Sequence, residues 1–143
     1  MILTTIAGAG GAAAATPMPL PAHVFAPYFE TWTTDTITST AQLSGVRYFT
    51  LAFLETTGKN SCTLAWDGSA SQPVSGEKYL SDIASLRGLG GDVIPSLGGW
   101  SADQSGTEIG DSCKDVNAIH VGLRPPAELV YAVGASPGCG APR

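Results

Sequence analysis

Basic side chains are scarce and scattered in this sequence. Its 143 residues include 7 Lys and Arg against 12 Asp and Glu, giving a net charge of −5, and no segment concentrates the positive charges. Because nucleic acids are bound mainly through clustered Lys and Arg, this pattern argues against a nucleic-acid partner. Charged residues make up 13% of the chain and hydrophobic residues 43%, which is typical of a globular fold and not of a disordered chain.

Metal ligands and long apolar runs are also few. The sequence has two histidines, His23 and His120, and no Cys-x-x-Cys pair, so we expect no metal site and no cofactor. No apolar run reaches the roughly 20 residues of a membrane-spanning helix, so we expect no membrane partner. At 143 residues the chain is also too short for a closed eight-stranded α/β barrel, which takes roughly 200 or more.

The N-terminal segment has the composition of a secretory leader. Residues 1–15 carry no charge and end in a run of alanines, the small residues that signal peptidases accept. The basic residues that usually precede such a run are absent, so a disordered Ala/Gly leader is the alternative. The prolines at positions 17, 19 and 21 then form a stiff spacer. We assign residues 1–22 to leader and spacer and predict a secreted, extracellular protein.

Three apolar segments, 24–29, 46–54 and 92–97, predict strands because they are rich in β-branched and aromatic residues. Helical spacing of apolar residues predicts a helix over 76–89, and a short helix is expected over 37–43. Alternation of strands and helices favours an α/β fold in which the three strands lie parallel in the order 1-2-3.

The remaining stretches are polar and rich in Gly, Ser and Asp. We predict loops over 55–76 and 101–111, and a last helix that begins at an N-cap Ser112 and reaches Ile119. From residue 120 to 143 the composition turns to Pro, Gly, Ala and Arg. We interpret 120–143 as an atypical tail, either frameshifted or spliced from a longer gene or a natural tail of its own.

The most informative stretch is Ser96-Leu97-Gly98-Gly99-Trp100, which directly follows the apolar run Val93-Ile94-Pro95. Two glycines after a buried strand let a ligand approach the backbone at the strand's C-terminal end. Together with Phe25-Ala26-Pro27-Tyr28-Phe29-Glu30 and Tyr48-Phe49-Thr50-Leu51-Ala52-Phe53-Leu54, this stretch resembles the first three strands of family 18 glycoside hydrolases, the secreted chitinases. The resemblance implies a partial TIM (β/α)8 barrel over residues 23–119, with about three strand-helix units and an open parallel sheet.

The catalytic motif of that family is missing from the sequence. The resemblance implies a fourth strand with Asp-x-x-Asp-x-Asp-x-Glu, whose Glu is the general acid, and no such string occurs. We therefore assign no catalytic residue, and we interpret the acidic residues from 103 to 115 as solvated surface charges. The resemblance implies a truncated chitinase-like hydrolase that is inactive alone. A noncatalytic chitin-binding module is the alternative, and a fragment without function is a third.

The residue types at the predicted strand ends suit a sugar, because aromatic rings stack on the apolar faces of pyranose rings. Trp100 is the strongest candidate, and Trp32 and Trp66 are weaker ones. The expected partner is chitin or an N-acetylglucosamine oligosaccharide. The predicted substrate-binding residues are Tyr28, Glu30, Phe53, Ser96, Gly98, Gly99 and Trp100.

The three cysteines fit an oxidising compartment. In the resembling fold, Cys62 follows the second strand and Cys113 follows the third, so both lie where the barrel strands end. We predict a Cys62–Cys113 disulfide and a free Cys139.

Overall fold

The structure, a computed structural model, describes residues 20–74 and 78–122. The leader prediction for residues 1–19, most of the predicted tail and Cys139 lie outside the described residues.

The described residues form a mixed α/β fold around one open sheet. Strand β2 (Tyr48–Thr56) pairs in parallel with β1 (Tyr28–Glu30) and β4 (Asp92–Leu97), and its last residues pair antiparallel with β3 (Leu64–Trp66). The elements in chain order are β1 (Tyr28–Glu30), α1 (Ile37–Ser44), β2 (Tyr48–Thr56), β3 (Leu64–Trp66), α2 (Leu80–Gly88), β4 (Asp92–Leu97), α3 (Trp100–Ser105), α4 (Ile109–Ser112) and α5 (Val116–Gly122).

The three predicted strands do pair in parallel, but the prediction of a purely parallel sheet was wrong. Part of the segment 55–76, predicted to be a loop, is strand β3, which pairs with Leu54–Thr56. A strand of three residues is too short to show periodicity, and the polar residues around it hide it. The sheet is therefore open and mixed, and no closed barrel forms within the described residues.

The first strand is shorter than predicted because of a proline. Strand β1 begins at Tyr28 and not at residue 24. The Thr50 amide still donates to the Pro27 carbonyl over 2.9 Å. Pro27 has no amide hydrogen to donate to the preceding bond of the parallel ladder, so regular pairing starts at Tyr28.

Three predictions about helices need correction. The described part of the predicted helix 76–89 is helical only from Leu80 to Gly88, and residues 75–77 lie outside the described residues. The predicted loop 101–111 contains α3 and α4, which are only 6 and 4 residues long and so leave little periodic signal. The last helix is capped by Asp115, whose carboxylate accepts from the Asn117 and Ala118 amides, and not by Ser112.

Helices α1 and α2 cover one face of the sheet. Their buried side chains pack against apolar residues from β1, β2 and β4. An Asp82 carboxylate on α2 accepts from the Ile37 and Thr38 amides at the start of α1, and this ties the two helices together. The residues of this core are Phe29, Ile37, Ala41, Phe49, Leu51, Leu54, Leu64, Trp66, Val74, Tyr79, Ile83, Leu86 and Val93.

The other face of the sheet is more open. Tyr28, Thr50 and Ile94 lie side by side in the strand register, and none of the three is buried. No helix within residues 20–74 and 78–122 is long and apolar enough to cross a membrane.

The predicted disulfide is confirmed. Cys62 and Cys113 are bonded, with their Cα atoms 4.7 Å apart. Ser112 beside it is buried, and its hydroxyl donates to the Gly58 and Ser61 carbonyls. The segment after β2 is therefore fastened to α4 by a covalent bond and by hydrogen bonds. This is also why Ser112 does not cap a helix.

Candidate functional site

Aromatic rings gather where β1, β2 and β4 end. Phe53 comes from β2, Trp32 follows β1, and Trp100 opens α3 directly after β4. With Asp67 and Ser101 they line an open groove of about 320 Å³. Trp100 is 79% exposed and Trp32 48%, so both indole rings are available to a ligand.

Phe53 is the centre of this aromatic row. Its ring lies 6.3 Å from that of Trp32 with only 22° between the planes, so the two are stacked. The Tyr28 ring lies 5.8 Å from the Phe53 ring and is tilted by 47°. The rings thus form a continuous apolar surface along the carboxyl end of the sheet, a shape that suits stacking ligands.

The Gly98-Gly99 pair leads from β4 to Trp100, which lines the groove with Trp32 and Phe53. Gly98 has φ of 80° and Gly99 has φ of 111°, conformations that side chains disfavour. A Cβ on Gly99 would lie 2.8 Å from the Phe53 ring, and one on Gly98 would lie 2.7 Å from Glu108 Oε1. The glycines therefore let the protein's own side chains approach the backbone, and the turn they make starts α3.

A buried carboxylate on β2 holds α3 in place. Glu55 near the end of β2 is only 6% exposed. Ser101 Oγ donates to its Oε1 and Thr107 Oγ1 to its Oε2, each over 3.0 Å. The Thr56 amide also donates to the Thr107 carbonyl over 2.9 Å. These bonds tie both ends of α3 to β2, so the position of Trp100 next to Ser101 follows from β2.

Trp32 is positioned through its neighbour Thr31. The Thr31 amide and hydroxyl both donate to the Ala52 carbonyl of β2 over 2.8 Å. The Thr31 carbonyl in turn accepts from Tyr79 Oη at 2.8 Å and from Lys78 Nζ at 3.0 Å. Burial, and to a smaller extent the carboxylates of Asp82 and Asp67, raises the pKa of Tyr79 from 10.0 to about 12.

This pKa predicts a loss of stability at high pH. Because the folded state holds the Tyr79 proton more tightly than the unfolded state, its contribution is complete below pH 10 and falls as the pH rises toward about 12. Tyr79→Phe should remove this fall and cost about 1 kcal/mol at neutral pH through the lost hydrogen bond. Urea unfolding of the parent and of Tyr79→Phe at pH values from 10 to about 12 measures the loss of stability. An ultraviolet titration follows phenolate formation in the same samples.

The control for this titration is Tyr28→Phe, which removes an exposed phenol. It should leave the step at high pH in place. A step of the same size in Tyr79→Phe would contradict the assignment.

The structure brings together only some of the predicted binding residues. Phe53 and Trp100 line the groove, and Tyr28 extends its aromatic surface. Glu30 and Ser96 lie in the same register row on either side of Ala52, in the sheet and outside the groove lining. Whether any of these residues contacts a sugar stays a prediction.

Sequence reasoning missed two residues of the groove and undervalued a third. Asp67 falls within the predicted loop 55–76 and Ser101 begins the predicted loop 101–111, although both line the groove. Trp32 was ranked below Trp100. The available signal was that Trp32 closely follows the end of the first strand, just as Trp100 closely follows the end of β4.

The known proteins that are similar to this chain are chitinases by name. No protein-family model matches the chain. A probable bifunctional chitinase/lysozyme of Escherichia coli strain K12 is 38% identical over 102 residues, which is 69% of this chain and 11% of that protein. Over these residues the chain is similar to a chitinase/lysozyme.

Solved chitinase structures are similar as well. Active domain 2 of the thermostable chitinase from Pyrococcus furiosus, solved as catalytic-site mutants with chito-oligosaccharides, is 36% identical with a TM-score of 0.50. That match covers 61% of this chain and 27% of the solved chain. A catalytic-domain structure of the Pyrococcus furiosus chitinase is also 36% identical, with a TM-score of 0.49, covering 59% of this chain and 27% of that one.

The matches are partial on both sides. The chitinase-like chain spans about a tenth of the curated relative and about a quarter of the solved domain. The identity of 36–38% supports a relation to chitinase glycoside hydrolases.

Proposed function

We propose that this protein is a truncated chitinase-like hydrolase of glycoside hydrolase family 18, and that its groove binds chitin or N-acetylglucosamine oligosaccharides. The observation that carries the proposal is that the side chains of Trp32, Phe53 and Trp100 line an open groove at the carboxyl ends of parallel strands. Carboxyl ends of strands are where α/β barrels and open α/β sheets place their ligands.

The size and surface of the groove support a sugar ligand. Its volume of about 320 Å³ lies at the lower end of small-molecule sites. A pyranose has two faces of C–H groups that can lie flat on an indole ring, and each such contact contributes on the order of 1 kcal/mol. Asp67 and Ser101, which line the groove, supply polar groups for sugar hydroxyls.

We further propose that this chain does not hydrolyse chitin by itself. A general acid must be held in surroundings that keep it protonated until it donates its proton to the leaving oxygen. The sequence lacks the Asp-x-x-Asp-x-Asp-x-Glu string. Of the carboxylates beside the groove, Glu55 is buried and engaged by Ser101 and Thr107, and Asp67 is exposed.

A second candidate function is a noncatalytic chitin-binding module. The exposure of Trp100, 79%, favours it, since a flat exposed indole can lie on a polymer surface without any enclosing cleft. Secretion is part of both proposals, and the Cys62–Cys113 disulfide supports it because disulfides persist mainly in oxidising compartments.

Chromatography on chitin tests the proposal. The parent protein should be retarded on a chitin column relative to a matrix without chitin, and Trp100→Ala should be retarded clearly less than the parent. Leu43→Ala is the matched control, because Leu43 is a large apolar side chain that is 90% exposed on α1, outside the groove lining. It should elute with the parent. Equal elution of the parent and Trp100→Ala, or no retardation of the parent, would contradict the proposal.

A further inference from the structure

One carboxylate lies among the aromatic rings of the groove. Asp67 lines it together with Trp32, Phe53 and Trp100. Its backbone is in the left-handed region with φ of 53°, and its amide donates to the Phe53 carbonyl over 2.9 Å. The turn that follows β3 therefore holds Asp67 beside the centre of the aromatic row.

This carboxylate accepts no hydrogen bond and forms no ion pair within residues 20–74 and 78–122. Two other carboxylates close to α3 and α1 are engaged. Glu55 accepts from Ser101 and Thr107, and Asp82 accepts from the start of α1. Asp67 is exposed, so its charge stays available at the groove for a ligand.

Every Lys and Arg among the described residues is held elsewhere. Lys78 Nζ donates to the Thr31 carbonyl, and the Lys59 side chain packs against Gly106. The remaining contacts are Arg47 with the Ala41 carbonyl, Arg87 with Asp92, and Lys114 with the Gly110 carbonyl. None of these cations lines the groove, so no described side chain there neutralises Asp67.

Aromatic faces around a carboxylate favour a cation. The π face of an indole attracts an ammonium group, and an ionised carboxylate adds a direct charge interaction. The exposed Glu30 at the end of β1 and the net charge of −5 make the surrounding field negative as well.

We propose that Asp67 makes this groove select amino sugars that carry a free ammonium group, so that partly deacetylated chitin binds better than fully N-acetylated chitin. The inference rests on the proposed function of glycan binding. A glucosamine unit keeps the apolar ring face that stacks on Trp100, and it replaces a neutral acetamide by a cation that can pair with Asp67.

Titrations with two oligomers of equal length test the proposal, one fully N-acetylated and one fully deacetylated. At about pH 5.5 an amine is protonated and an Asp carboxylate is ionised. The parent should bind the deacetylated oligomer about fivefold more tightly at low salt, as one solvent-exposed charge pair allows. In about 1 M NaCl the preference should largely disappear, because salt screens exposed charges.

Asp67→Asn is the decisive variant, since Asn tolerates the left-handed backbone and keeps the shape while removing the charge. It should lose the preference and keep the parent's affinity for the N-acetylated oligomer. Asp111→Asn, an exposed change of equal charge outside the groove lining, should keep the preference.

The outcomes separate this inference from the proposed function. Equal binding of the two oligomers by the parent, or a preference that survives in Asp67→Asn, overturns the role of Asp67 while glycan binding stands. A preference lost equally in Asp111→Asn means that net charge alone produces it, and this also overturns the inference. Binding of neither oligomer overturns both.

Discussion

Loss of the Cys62–Cys113 disulfide is expected to lower the free energy of unfolding by about 4 kcal/mol. The bond joins residues 51 positions apart, and on the chain-entropy model a loop of that length restricts the unfolded chain by about this amount. Urea unfolding of the oxidised protein and of the Cys62→Ser/Cys113→Ser double variant, both carrying Cys139→Ser to prevent exchange, measures the difference.

Reductant provides the internal control for this comparison. It should destabilise the protein with the disulfide and leave the double variant unchanged. Mass mapping after alkylation of the native sequence should find Cys62 and Cys113 protected and Cys139 modified. A crosslink between Cys113 and Cys139 would contradict the account and would make the C-terminal segment part of the disulfide framework.

Hydrolysis of a chromogenic N-acetylglucosamine oligomer should stay at the level of a blank. Absence of a general acid alone removes a factor of about 10² to 10⁴, and loss of the groups that orient the substrate removes more. Assays of the parent together with Glu55→Gln and Asp67→Asn check this, because Asp67 lines the groove and Glu55 accepts a hydrogen bond from the groove residue Ser101.

The two variants also identify the source of any turnover. Turnover equal in all three proteins would come from a contaminating enzyme. Turnover by the parent that disappears in Glu55→Gln or Asp67→Asn would show that this chain holds its own catalytic acid, and the proposal of inactivity would be wrong.

The parallel strands could be predicted because their signals are local, and the disulfide because the resembling fold places Cys62 and Cys113 at the same ends of neighbouring strands. The span of β4 matches the prediction, because glycines on both sides of the apolar run mark where the strand begins and ends. Strand β1 was predicted too long because Pro27 interrupts a run that is otherwise favourable for a strand.

The parts that could not be predicted depend on contacts between distant segments. Strand β3 is defined by its pairing with the end of β2. A segment of three residues carries too little pattern for that pairing to be predicted. The buried position of Glu55 likewise depends on hydroxyls at Ser101 and Thr107, more than 40 residues away. A charged residue at the end of the apolar strand β2 was the available sign that such partners exist.

The candidate site divides in the same way. Trp100 was found because two glycines and an aromatic follow a strand, a pattern that lies within five residues. Asp67 was missed because its place in the groove comes from the turn after β3, which holds it beside Phe53. Residues that reach a site through an unpredicted strand leave no motif in the sequence.

The central claim, that the aromatic groove binds N-acetylglucosamine oligomers, is tested most directly by calorimetric titration of such an oligomer into the parent and Trp100→Ala proteins. Stacking on one exposed indole contributes on the order of 1 kcal/mol, so we predict a Kd no tighter than about millimolar and about fivefold weaker binding in Trp100→Ala. Micromolar affinity, or an affinity that the substitution leaves unchanged, would contradict the account, since the binding site would then lie elsewhere.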